Sequence, residues 1–316
     1  MKHDLSNDEQ LPRKYLQFPL FLIRDMFNDK VGTINKIIKY GIYRMSKAIE
    51  YDLHNVARQT IFELYRGDLS FDIIVGLNSH NFEYVGKDEN YNGFSGDVFN
   101  PDLEIDELLH AFSTDAELKA RCIEFYCVRQ TLSVLSMNTN SIERILQVGK
   151  EIERITPDNE VMPMIGKHTL FHFRDNDKTE NEIAQLLAYI AIRSIIGKKA
   201  YTKTNKPHII ARMFGYSSVK VLLDAESNEL VKKYCTRHHY QKILLSLAID
   251  WNVCIYSNRT RGIYVSIANS CSLEKLIEIA EQKKRSKREA DYLKMKRDAI
   301  DKVMNKISLT ATNTTE

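Results

Sequence analysis

WNVCIYSNRTRGIYVSI, Trp251 to Ile267, is the stretch on which the reading of this chain turns. Val253 and Ile255 alternate in one arm, Ile263, Val265 and Ile267 in the other, and the polar run Ser257 to Gly262 lies between them. Period-two alternation on both sides of a polar, glycine-closed turn predicts a β-hairpin. The residues before it recur at helical spacing, so the meaning of the hairpin depends on those helices.

Working back toward the N-terminus, Ile183, Leu186, Leu187, Ile190, Ile195 and Ile196 predict an apolar helix of about four turns. Thr179 and Glu182 form a capping box at its start, and Lys198 and Lys199 follow Gly197 at its end, where cations suit a helix C-terminus. Next comes KPHIIARMFGYSSVKVLLDA, Lys206 to Ala225. Pro207 in a first helical turn, Gly215 where a tight turn needs positive φ, and Ser217 or Ser218 as a cap predict helix, turn, helix. A further helix is expected from about Leu230 to Asp250. Val231, Tyr234, Tyr240, Ile243, Leu244, Leu247 and Ala248 form its apolar side, and Lys232, Lys233, Arg237, His238, His239 and Lys242 its polar side.

The segment Pro207 to Glu226 resembles the helix-turn-helix of DNA-binding regulators. Ala211 is the small residue between helices, Gly215 stands in the turn and Val221 in the second helix's core, with Ile210, Phe214 and Leu222 as the other apolar contacts. Asp224 departs from the pattern, because an aliphatic residue usually completes the second helix there. With the hairpin added, Ile183 to Ile267 is similar to a winged helix domain: three or more helices, then a β-hairpin wing. The resemblance covers about 85 of the 316 residues,.

That resemblance implies double-stranded DNA as partner. Two helices are candidates for reading it: Ser217 to Leu223 follows from the motif, and Thr236 to Asp250 from adjacency to the wing. The implied contact residues are Lys206, Ser217, Ser218, Lys220, Arg237, His238, His239 and Lys242. In the wing, Arg259 and Arg261 are placed to lie along a phosphate backbone or reach a minor groove, and Asn258 and Thr260 to donate to phosphate oxygens.

Charge divides the chain in the same sense. Residues 1–182 hold 21 Lys and Arg against 30 Asp and Glu, and residues 183–316 hold 24 against 12. Nets of −9 and +12 suggest that the C-terminal half meets a polyanion, although a solvated basic surface explains the charge alone. The proline-containing run TPDNEVMP, Thr156 to Pro163, the strand-like HTLFHF and the polar RDNDKTENE mark the boundary. We therefore expect a mainly α protein: a helical, acidic domain over 1–160, a winged helix domain over 179–270, and a basic amphipathic helix over 271–307.

Ahead of the boundary, Ile34, Ile37, Ile38, Met45, Ile49, Leu53 and Val56 recur at three- and four-residue steps, as do Leu118, Cys122, Phe125, Leu132 and Leu135. These are core stripes. Asp68 to Glu117 carries twelve acids against the single base Lys87 and reads as a long acidic loop or insertion. Its glycines, Tyr91 to Asp97, lack a phosphate-loop lysine. In the tail, bases crowd at Lys283 to Arg288, and Leu293, Ile300, Val303, Met304 and Ile307 are spaced helically. That helix suits a further phosphate contact or a coiled-coil strand, and a solvated surface helix equally. Self-association through the N-terminal half or this helix is the expected protein contact.

Other chemistries find little support. Five cysteines without paired CxxC spacing, in a chain with no secretory signal pattern, predict reduced thiols and a cytoplasmic protein,. Cys235, His238 and His239 have metal-like spacing but lack an evident fourth ligand, so no metal and no cofactor is expected. His168 and His172 stand four apart in what reads as a strand. A Walker loop, a GxSxG elbow and HExxH are missing. Three function classes remain in order: a sequence-specific DNA binder, either transcription regulator or plasmid- or phage-type replication initiator; an adaptor whose winged helix binds protein; and a nucleic-acid-processing enzyme.

Overall fold

The computed structural model describes residues 15–66, 101–138, 141–224, 229–257 and 262–312, and there the chain is mainly helical with two small antiparallel sheets. In the N-terminal half, β1 (Tyr15–Gln17) leads through a 3-10 turn (Leu20–Asp25) to α1 (Lys30–Ser46), α2 (Leu53–Arg66), α3 (Pro101–Thr114), α4 (Ala116–Val134) and α5 (Ile142–Ile155). β2 (Met164–Gly166) then runs straight into α6 (Lys167–Asp175). Short polar side chains start the helices. Asp29 accepts from the Gly32 amide at 2.8 Å, Asp115 from those of Glu117 and Leu118, and Ser141 from that of Arg144,.

Both N-terminal stripes supply core. Ile34, Ile37, Ile38 and Val56 are buried, as are Leu118, Cys122, Phe125, Leu132 and Leu135. Two expectations are corrected. The acidic segment is not all loop, because 101–117 contains α3 and the start of α4, with Ile105, Leu108 and Phe112 buried while Asp106 and Glu107 face outward. Asp106 and Glu107 thus occupy the solvent face of an amphipathic helix; Asp68 to Asn100 lies outside the described residues,. HTLFHF is helix rather than strand. Thr169, Leu170 and Phe173 are buried at helical spacing, and a six-residue window is too short for periodicity to separate the two,.

The proline-containing segment is built into the structure. β2 pairs antiparallel with β1 in the register Tyr15↔Gly166, Leu16↔Ile165, Gln17↔Met164. The amides of Phe18 and Leu20 extend the ladder to the carbonyls of Pro163 and Val161 at 3.2 and 2.8 Å.

In the C-terminal half, α7 (Glu180–Ile196) opens with the predicted capping box of Thr179 and Glu182. β3 (Tyr201–Thr204), which the sequence reading did not anticipate, precedes α8 (Lys206–Met213), capped by Asn205 with Pro207 in its first turn. There follow α9 (Val219–Asp224), α10 (Glu229–Cys235), α11 (Arg237–Asp250), β4 (Val253–Tyr256), β5 (Ile263–Ile267) and α12 (Leu273–Thr312). The hairpin is present, and β3 widens it into a three-stranded antiparallel sheet in the order β3-β5-β4.

Three details differ from expectation. The helix Leu230 to Asp250 is two helices, broken at Thr236, whose hydroxyl accepts from the His239 amide at 3.4 Å and so starts a new one. No glycine or proline marks the break, and apolar spacing runs through it. Ala248, assigned to the apolar side, is exposed, since the new helix turns Ile243 and Leu247 inward instead. Val221 is 44% exposed whereas Leu222 is buried, so in the six-residue α9, ending at Asp224, Leu222 is the core contact.

One continuous set of buried side chains runs from Leu16 to Ile267 and joins the two halves. Phe27 stacks on Phe214 and Tyr234 at ring distances of 5.9 and 6.0 Å. Trp251 is enclosed by Tyr189 at 4.9 Å and Phe173 at 5.9 Å, and its indole donates to Gln185 at 3.3 Å. Tyr264, Cys271, Leu276 and Ala280 make a second small core where α12 seats on the sheet. Among the described residues no helix is long and apolar enough to cross a membrane.

Candidate nucleic-acid interface

α11 packs on α7, α10 and β4, burying Ile243 and Leu247. Two residues, Trp251 and Asn252, carry the chain from its end into β4. Asn252 adopts φ of 54°, a left-handed conformation that a short polar side chain tolerates,. The outward face of α11 bears Arg237, His238, Gln241, Lys242 and Leu245, all exposed. Its first turn also concentrates the positive end of the helix dipole.

Lys206 joins this cluster from α8. Its ammonium donates to the Cys235 carbonyl and stands 5.4 Å from the centre of the Tyr240 ring. His239 is held by Thr236, with Nδ1 2.8 Å from the hydroxyl, and its ring lies 5.4 Å from that of His238. Five of the predicted residues, Lys206, Arg237, His238, His239 and Lys242, thus gather around one helix start. Lys233 is otherwise committed. It pairs with Glu180 at 2.8 Å, and its hydrogen bond, with that of Tyr234, holds the Glu180 carboxyl below the usual range.

The other predicted residues sit elsewhere or outside the described residues. Ser218 accepts from the Val221 amide at 3.4 Å and so caps α9, which packs on α8; Lys220 is exposed on that helix and Ser217 in the turn before it. Asn258, Arg259, Thr260 and Arg261 lie outside the described residues. Where β5 begins beside β3, Gly262 has φ of 101°, and a Cβ there would fall 2.5 Å from the Thr204 carbonyl oxygen. Only glycine fits that approach.

Sequence reasoning missed a second basic group. Lys199, Lys203 and Lys283 line an open furrow with Tyr201 and Thr202 along β3. Lys283 stands 4.8 Å from the Tyr201 ring centre and Lys203 5.5 Å from that of Tyr264. The β-branched and aromatic run YTKT was the available signal for the strand; nothing local pointed to Lys283 beside it.

Inside this region, Arg212 Nε donates to His208 Nε2 and Thr204 Oγ1 meets His208 Nδ1, both at 3.4 Å, which describes a neutral imidazole,. Burial, with the Arg212 charge, pushes the His208 pKa below its ordinary value. Burial also raises that of Tyr240, whose hydroxyl has no hydrogen-bond partner among the described residues.

Cys235 is exposed beside His238 and His239, yet no group of three His, Cys, Asp or Glu among the described residues is arranged to hold a metal ion. His168 and His172 are one turn apart on α6, where His172 Nε2 lies 2.9 Å from the Lys178 ammonium. Comparisons with family models, with curated proteins and with solved structures found no match to this chain.

Proposed function

We propose that this chain binds double-stranded DNA through residues 180–267, used as a winged helix domain with α11 as the reading helix and the β4–β5 hairpin as the wing. The observation that carries the reading is the exposed basic start of α11 on a helix that turns within two residues into the hairpin. At 14 residues, α11 is about 21 Å long, and a major groove about 12 Å wide admits a helix of that kind,. Arg237 and Lys242 supply phosphate or guanine contacts, and the apolar end of the same face suits thymine methyl groups. α9 is the weaker candidate, because it has six residues and one of its predicted contacts, Ser218, serves as its cap. On this reading the protein is a regulator or a replication initiator, which an adjacent operator or origin would distinguish.

The adaptor reading draws on a different observation. Leu245 is 62% exposed and Ile249 66%, an apolar pair on the outward side of α11 that suits a protein partner,. Binding of the full-length chain to duplex DNA across a salt series decides between them. A steep fall of affinity with salt, together with enrichment of one sequence from a random pool, is the expected result. No duplex binding at low salt would sink the DNA reading.

A further inference from the structure

α12 seats Leu276 and Ala280 beneath the hairpin and then leaves the body of the protein. Every residue from Arg285 to Lys302 is exposed, and 285–312 extends about 40 Å beyond the last seated turn,. The stripe that seats the helix continues past the seat. In alternating steps of three and four from Leu276, it runs through Ile279, Lys283, Ser286, Ala290, Leu293, Arg297 and Ile300, and the sequence sets Met304 and Ile307 next, so its apolar part resumes at Ala290,. Leu293 is 55% exposed and Ile300 52%, so this line has large apolar side chains facing water.

The charges flanking the line identify what covers it. Glu289 and Lys296 occupy one flank, Lys294 and Asp301 the other. In a parallel, in-register pair, each residue of the first flank faces the residue five positions on in the second copy. Glu289 then meets Lys294, and Lys296 meets Asp301, both pairs opposite in sign. An antiparallel pair that crosses at Lys294 or Lys296 opposes like charges, whereas one that crosses between Arg297 and Ile300 sets Lys294 against Asp301, so a cross-link at Ser286 separates the two directions,. Arg297 on the line itself is the kind of polar core residue that fixes register at some cost in stability. Tyr292 and Met295 are exposed off the line and play no part.

We propose that two copies of this chain pair through residues 286–307 as a parallel, in-register two-stranded coiled coil. The inference stands on α12 alone and does not depend on DNA binding. Its consequence is that both C-terminal halves are held at the same end of the pair.

Light scattering on the full-length chain after size exclusion should return the mass of two chains. L293E/I300E should return the mass of one and a melting transition of the body that no longer depends on protein concentration, since both side chains are exposed in the single chain,. Charge supplies the register test. E289K should weaken the dimer, and E289K/K294E should restore it by exchanging the partners. S286C should give a reducible cross-link between identical residues, which only a parallel register permits. A single-chain mass for the unaltered protein, a dimer that survives L293E/I300E, or no rescue by E289K/K294E would each overturn the proposal.

Discussion

Arg24 and Gly215, 191 residues apart, are joined by a hydrogen bond from the guanidinium Nε to the carbonyl oxygen at 3.3 Å. The same guanidinium lies 4.9 Å from the centre of the Tyr216 ring. The turn between α8 and α9 is therefore seated on the N-terminal half, with Gly215 at φ of 77°. That seat ties the basic half of the protein to the acidic half at a turn whose backbone needs a positive φ.

Gly215→Ala should destabilise the protein by about 2 kcal/mol, because left-handed backbone costs an L-residue about 1–2 kcal/mol. In addition, a Cβ there falls 2.7 Å from Arg24 Cγ and 3.2 Å from the Leu20 carbonyl oxygen. In an Arg24→Ala background, which by itself loses the bond to the Gly215 carbonyl, Gly215→Ala should cost less by the part due to the side-chain clash and keep the backbone part. Chemical denaturation of the single and double variants measures both.

Removing the basic start of α11 should alter DNA binding without altering the fold. R237A/K242A should lower the log-log salt slope by about 1.8 if each residue neutralises one phosphate. Stability should stay within about 0.5 kcal/mol, as for other exposed positions. S217A/K220A, at the start of α9, should leave the slope nearly unchanged; a larger effect there would make α9 the reading helix. R259A/R261A, outside the described residues, is expected from the sequence to act like R237A/K242A.

Glu63 offers a test in the N-terminal half. Its side chain is 1% exposed and pairs with Arg129 at 3.1 Å, while Arg129 is 27% exposed. Arg129→Met should cost about 2 to 3 kcal/mol, less than for a fully buried pair because water still reaches the guanidinium side. Adding Glu63→Gln removes the buried charge and should recover most of the loss, as read by denaturant midpoint.

Stability should also depend on pH through His208. Its folded pKa lies below the ordinary value, first through burial and then through the Arg212 charge, so the unfolded chain takes up a proton sooner. The stabilisation is complete above about 6.5, the unfolded value, and declines as pH falls below it toward the folded value. His208→Gln should remove that component. Unfolding free energies of both proteins on either side of the unfolded value test it: equal pH dependence would mean that His208 does not contribute.

Local signals, read from the sequence alone, determined the hairpin arms, the apolar helix after Thr179 with its capping box, and the turn at Gly215. Each depends on residues within a few positions: alternation, a side-chain cap, a glycine able to take positive φ. The grouping of Arg237, His238, His239 and Lys242 was equally legible, since one helix carries them. Tertiary structure alone decided the rest. It brought Lys206 to the Cys235 carbonyl and Lys283 to the furrow beside Lys203, pairings set by how α8 and α12 pack rather than by spacing along the chain. It also made HTLFHF a helix, because six residues leave the period ambiguous until burial of Leu170 and Phe173 selects one. The break at Thr236 followed the same logic: a hydroxyl cap is optional in any serine- or threonine-containing helix, and packing of Ile243 and Leu247 on α7 determines that it is used here,.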